Sequence, residues 1–258
     1  MTSMSERETG RLIPDDSQAA IELTLAVRAG DLEEVSRLLR DDPGLALARI
    51  VGRRGGSETA LHLVAGWPGY FPRGPEIVAL LAAAGADPDA LTTSQGTEPG
   101  RGSETPLHYA ASSDDADVAE ALIDAGADLE VPGGSIGTPL DNAVGYGCWH
   151  VARLLADRGA RVDKAWHAAA LGQLARLEAI LGSDPQAQDV SQAFWHACTA
   201  GQRRTAEYLL ARGADLNWEP DYAEGTPLDS ADGLSTRQEN VVSWLRELGA
   251  RSARAEPT

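Results

Sequence analysis

The sequence predicts an all-α solenoid of about seven helix–turn–helix repeats. Three observations carry that prediction. First, a Thr-Pro-Leu phrase recurs as Thr105-Pro106-Leu107-His108, Thr138-Pro139-Leu140-Asp141 and Thr226-Pro227-Leu228-Asp229, and Thr59-Ala60-Leu61-His62 lacks only the proline. Second, a Gly-Ala phrase recurs downstream at Gly85-Ala86, Gly126-Ala127, Gly159-Ala160, Gly213-Ala214 and Gly249-Ala250. Third, Thr105 and Thr138 stand 33 residues apart, a period typical of stacked helical repeats.

Each element has a physical reason. The threonine caps the first helix of a repeat, and proline at the first helical position has no N–H to leave unsatisfied. The second helix carries apolar residues at helical spacing: Val35, Leu38 and Leu39; Ile77, Val78 and Leu81; Val118, Leu122 and Ile123; Val151, Leu154 and Leu155. The glycine that follows supplies the left-handed residue that ends the helix. One such pair is too small to bury its own apolar face, so neighbours must stack.

The repeats are expected at about 21–50, 59–91, 105–131, 138–162, 163–190, 192–218 and 226–251. The first lacks a Thr-Pro start, as suits a polar cap. The second carries an aromatic insertion, Gly66-Trp67-Pro68-Gly69-Tyr70-Phe71-Pro72-Arg73-Gly74-Pro75, and the seventh a small insertion around Gly233. Pro88 to Glu104 reads as a long loop. Residues 1–17 and 252–258 are expected to be frayed, leaving 18–251 as the repeat domain.

These phrases resemble the ankyrin repeat, whose pattern runs T-P-L-H-x-A-A, then a glycine, then an apolar helix ending in G-A-D. The resemblance covers roughly residues 20 to 251. It implies short β-hairpin-like finger loops between repeats and a concave groove lined by the first helices. It also implies a protein-recognition role. The fifth repeat follows so soon after the fourth that one finger is lost between them.

The 258 residues carry a formal net charge of −17. Such a surface repels phosphate backbones, so nucleic acid is not an expected partner, whereas a basic protein is. The N-terminal residues lack an apolar signal region, and no stretch approaches the roughly 18 apolar residues of a membrane span. A cytoplasmic protein is expected. Cys148 and Cys198 are too few for a disulfide framework or a zinc site. No catalytic signature of known spacing occurs, and no cofactor or metal is expected.

Candidate functional residues are therefore those at first-helix positions facing the groove. Aligning Gly172 and Gly201 sets Trp166 and Trp195 at the position of the repeat histidine, as in His62 and His108. His167 and His196 then fall one residue later, facing the groove about 10 Å apart. The same position holds Tyr109 and Asn142 in earlier repeats, and Tyr146 lies one turn beyond Asn142. Trp218 and Tyr222 stand in the loop before the seventh repeat. Trp67, Tyr70 and Phe71 form the aromatic insertion, either packed on its own repeat or offered to a partner. A histidine pair in a groove is an acid–base candidate, and Asp141 would orient His167 if it approached it.

Two functions follow. The leading one is a module binding a partner protein in the concave groove, as an inhibitor or scaffold. The alternative is a small-molecule-binding protein or acid–base enzyme with a pocket around His167 and His196.

Overall fold

The computed structural model describes residues 10–93, 103–233 and 238–254. Parts of the expected loop after Pro88, of the insertion around Gly233 and of both terminal segments lie outside those residues. The chain divides into two compact units, 1–160 and 161–258.

The first unit contains four helix pairs. They are α1 (Gln18–Ala29) with α2 (Leu32–Asp41), α3 (Ala60–Ala65) with α4 (Gly74–Ala83), α5 (Pro106–Ser113) with α6 (Ala116–Asp124), and α7 (Pro139–Gly145) with α8 (Trp149–Asp157). First helices stack on first helices, and second on second. Leu23, Leu61, Leu107 and Leu140 from the first helices are buried together with Val35, Ile77, Val118 and Val151 from the second. Each such side chain contributes about 1.5–3 kcal/mol through its removal from water.

A three-stranded sheet precedes the second pair. β1 (Leu12–Pro14) runs parallel to β2 (Arg49–Val51), with Ile13 opposite Ile50, and β2 runs antiparallel to β3 (Ser57–Thr59), with Arg49 opposite Thr59. β2 and β3 form a finger hairpin. β1 departs from the expectation that residues up to 17 are frayed. Its ladder with β2 and the buried Ile13 side chain tie it down.

The second unit contains α9 (Ala165–Ala170) with α10 (Leu174–Leu181), α11 (Ala187–Thr199) with α12 (Arg203–Ala211), and α13 (Pro227–Ala231) with α14 (Glu239–Glu247). Its core holds Leu177, Phe194, Leu209, Val241 and Leu245. The tail expected to fray beyond 251 is bound where it is described. Ala253 N–H donates to Asp229 Oδ2 at 2.8 Å, and the Ser252 hydroxyl donates to Oδ1.

The Thr-x-Leu phrases form reciprocal caps. Thr105 N–H donates to His108 Nδ1 (3.2 Å), Thr138 N–H to Asp141 Oδ2 (2.7 Å) and Thr226 N–H to Asp229 Oδ2 (2.9 Å). In return the third residue's N–H donates to the threonine oxygen in each. Both orphan donors at the helix start are thereby satisfied.

Candidate functional site

The repeat histidines are structural bridges. His62 Nδ1 accepts from Thr59 N–H at 3.1 Å, so its proton sits on Nε2 and is donated to the carbonyl of Glu104 at 3.0 Å. His108 does the same with Thr105 and Gly137, the latter at 2.9 Å. Burial drives the His62 imidazole down to about 4 and lowers that of His108, so both are neutral. Each bridge ends on the residue just before the next repeat's threonine.

Tyr109 is half-buried and stands edge-on to His62, ring centres 5.0 Å apart. Asn142 is fully buried rather than open to a groove. Its Nδ2 donates to Glu104 Oε1 (3.0 Å) and Ser112 Oγ (3.2 Å), and its Oδ1 accepts from Ile136 N–H (3.2 Å). Glu104 Oε1 also accepts from Ser135 N–H and Ser135 Oγ, each at 3.2 Å, and Ser135 Oγ lies 2.8 Å from the exposed Tyr146 hydroxyl. A network thus runs from Asn142 through Glu104 and Ser135 to Tyr146. Beside it, Asp15, Glu58, Glu104 and Tyr109 line a cavity of about 380 Å³. Burial raises the Glu58 carboxyl above its ordinary range, and it raises the Tyr109 phenol to about 12, with Glu58 and Glu104 adding to the effect. Asp141 serves in its helix cap, its Oδ2 accepting from the Thr138 amide and hydroxyl.

The aromatic insertion is pinned at one end and open at the other. Tyr70 N–H donates to Asp115 Oδ2 and its hydroxyl to the Asp114 carbonyl, both at 2.5 Å. The Arg28 guanidinium lies 6.0 Å from the Phe71 ring centre. Trp67 is 84% exposed. The insertion is shorter than expected, because α4 already begins at Gly74.

In the second unit the histidines do not face solvent. His167 and His196 are 1% and 3% exposed. The expectation of groove-facing imidazoles is corrected, because aromatic rings cover them. Trp166 lies 4.2 Å from His167 and 4.9 Å from His196, and Tyr222 stacks on His196 at 6.3 Å. Tyr222, itself backed by Trp218 at 6.4 Å, has its hydroxyl 3.3 Å from His196 Nε2 and receives a hydrogen bond from Gln192 Nε2. Nδ1 of His196 has no hydrogen-bond partner among the described residues. Burial, with His167 adding to it, lowers the His196 imidazole to about 3. Trp195 does take the repeat histidine's position, since its Nε1–H donates to the Gly225 carbonyl at 3.1 Å, just before Thr226.

A family model described as "Ankyrin repeats (3 copies)" matches residues 23–132 and 70–165. The chain belongs to the ankyrin-repeat family. No curated protein matches it. Among solved structures, it is similar to the ankyrin repeat domain of Bcl-3, titled "a unique member of the IkappaB protein family". The identity is 27%, the match covers 87% of this chain and 97% of that one, and the TM-score is 0.49. Ankyrin repeats generally bind other proteins, so a protein–protein interaction module is the coarse functional class. Among the described residues, no helix is long and apolar enough to cross a membrane, and no three His, Cys, Asp or Glu side chains converge to hold a metal.

Reading the ankyrin pattern alone overlooks Glu104 and Asp114. Glu104 precedes Thr105, where its carbonyl receives the His62 bridge. Asp114 has φ of 57°, where other repeats use glycine. An aspartate at the glycine position is the signal for it: Oδ1 accepts from His150 N–H and Val151 N–H, each at 3.0 Å, and caps α8.

Proposed function

We propose that this ankyrin-repeat chain binds a basic partner protein along the first-helix face of residues 10–160, as a cytoplasmic inhibitor or scaffold. The observation that carries the reading is Glu104. Three neutral donors hold its carboxylate near the half-buried Tyr109 and the exposed Tyr146, while no ion pair engages it among the described residues. Groups fixed before binding lose little freedom on binding, and tyrosine contributes large area for few torsions. The net charge of −17 favours approach of a basic surface.

The acid–base alternative has less support. A buried imidazole with its pKa lowered to about 3 holds no proton to give near neutral pH, and it is a weak base.

The test is affinity capture from native lysate, with the full chain as bait, read by protein and small-molecule mass spectrometry. A partner that is retained by the wild type, lost by Tyr109→Ala and kept by His196→Gln supports the reading. A bound small molecule lost only with His196→Gln would overturn it.

A further inference from the structure

We propose that the cavity beside Glu58 and Glu104 receives a lysine or arginine side chain of the partner, while Trp67 takes an apolar side chain from the same segment. This rests on the protein-binding reading above and names the chemistry of the partner.

The hydroxyls of Ser57, Thr92 and Thr93 in the cavity wall are already hydrogen-bonded. Ser57 Oγ bonds Thr93 Oγ1 at 2.7 Å and accepts from Arg49 Nε at 3.0 Å. Thr92 Oγ1 accepts from the Glu104 amide at 2.9 Å. Glu104 Oε1 is saturated by neutral donors, which aim the carboxylate and leave its charge uncompensated. Among the described residues, no Lys or Arg lies within ion-pair distance of Asp15, Glu58 or Glu104. Asp15 and Glu104, with Glu58 that Arg28 only partly offsets, surround one cavity and favour a cation inside it. About 380 Å³ is room for a long side chain rather than a bare ion. The Tyr109 ring in the wall suits a delocalised or ammonium cation.

Tyr109 also connects the cavity to Trp67. Gly66 lies against Tyr109, since a Cβ built on it would stand 3.7 Å from Tyr109 Cδ2, an ordinary contact distance. The next residue is Trp67, on a loop fixed by the Gly69 N–H to Gly66 carbonyl bond (2.9 Å) and by the Tyr70 bonds to Asp114 and Asp115. An exposed tryptophan on a pinned loop, next in the chain to a glycine that lies against the cavity residue Tyr109, suits an anchor pair: a basic side chain in the cavity and an apolar one on the indole.

The probe is a phage-displayed peptide library panned on the full chain. Selected peptides are expected to share a Lys or Arg at a fixed spacing from an apolar residue. Their affinity should fall roughly tenfold or more in Glu58→Gln/Glu104→Gln and in Trp67→Ala, and should weaken as salt rises. Glutamine at 104 keeps an oxygen for the three donors, and thermal unfolding of each variant checks that the fold is retained. Peptides without a basic residue, or equal binding to Glu58→Gln/Glu104→Gln, would overturn the inference. If those peptides still lose binding in Tyr146→Ala, which lies on the same face but outside the cavity wall, the protein-binding reading stands without the cavity. If wild-type chain retains neither peptide nor protein, that reading falls as well.

Discussion

The indole of Trp195 makes the bond that imidazoles make elsewhere in this chain. Its Nε1–H donates to the Gly225 carbonyl at 3.1 Å, as Nε2–H of His62 and His108 does to Glu104 and Gly137. All three acceptors precede a capping threonine. Trp195→Phe keeps the ring and removes the donor, leaving a buried carbonyl with one partner fewer. The expected cost is about 1–3 kcal/mol, seen as a lower thermal unfolding midpoint by circular dichroism. An unchanged midpoint would mean that the indole acts by packing alone.

Asp114 combines two tasks that other repeats divide. It adopts the left-handed conformation and caps α8, whose own N-cap residue Cys148 provides no side-chain bond. Asp114→Gly eases the backbone and removes the cap, whereas Asp114→Asn retains an oxygen acceptor and tolerates the conformation. Asn is therefore expected to cost less than Gly, and Ala the most, at about 1–2 kcal/mol. Urea unfolding of the three variants gives the order, and Ala equal to Asn would refute it.

The repeat architecture was legible in the sequence because its signals are local. A capping threonine, a proline at the first turn, a 3.6-residue apolar period and a terminal glycine each act within a few residues. All four Thr-x-Leu starts open helices, and Trp195 holds the position that aligning Gly201 predicts. The site was less legible. His196 was expected to face a groove, but its burial depends on Trp166 from the preceding repeat and Tyr222 from the loop that follows, neither near it in sequence. Asn142 was expected as a binding residue, yet it is satisfied by Glu104, 38 residues away. β1 pairs with a strand well over thirty residues downstream, and nothing in the short apolar run at Leu12 announces that partner.

Glu58 weakens the fold near neutral pH. Burial raises its carboxyl above the unfolded value of about 4.3, which Arg28 only partly offsets. The folded chain therefore holds this proton more tightly than the unfolded chain. Stability contributed by the protonated form is present at low pH and is lost as pH rises through the folded pKa. Glu58→Gln is expected to raise the unfolding midpoint at pH 7 and to lose that advantage below about pH 4. Calorimetry across that range checks it, and a variant less stable than wild type at pH 7 would refute it.

His196 gives the opposite dependence. Its folded imidazole is lowered to about 3 by burial, with His167 adding to the effect, against about 6.5 in the unfolded chain. Between those values the unfolded state binds a proton that the folded state refuses. The stability of the neutral, buried ring is therefore complete above about pH 6.5 and is lost progressively as pH falls. Wild-type midpoints should drop on acidification, and His62, lowered to about 4, contributes with the same sign in the first unit. His196→Gln replaces the ring with a side chain that does not titrate. It should be less stable than wild type at neutral pH, because the contacts with Trp166 and Tyr222 are lost, and should give up less stability on acidification. The difference between the two chains must narrow as pH falls from 7 toward 4. A constant difference would mean that His196 binds its proton alike in both states, and the burial account of its chemistry would fail.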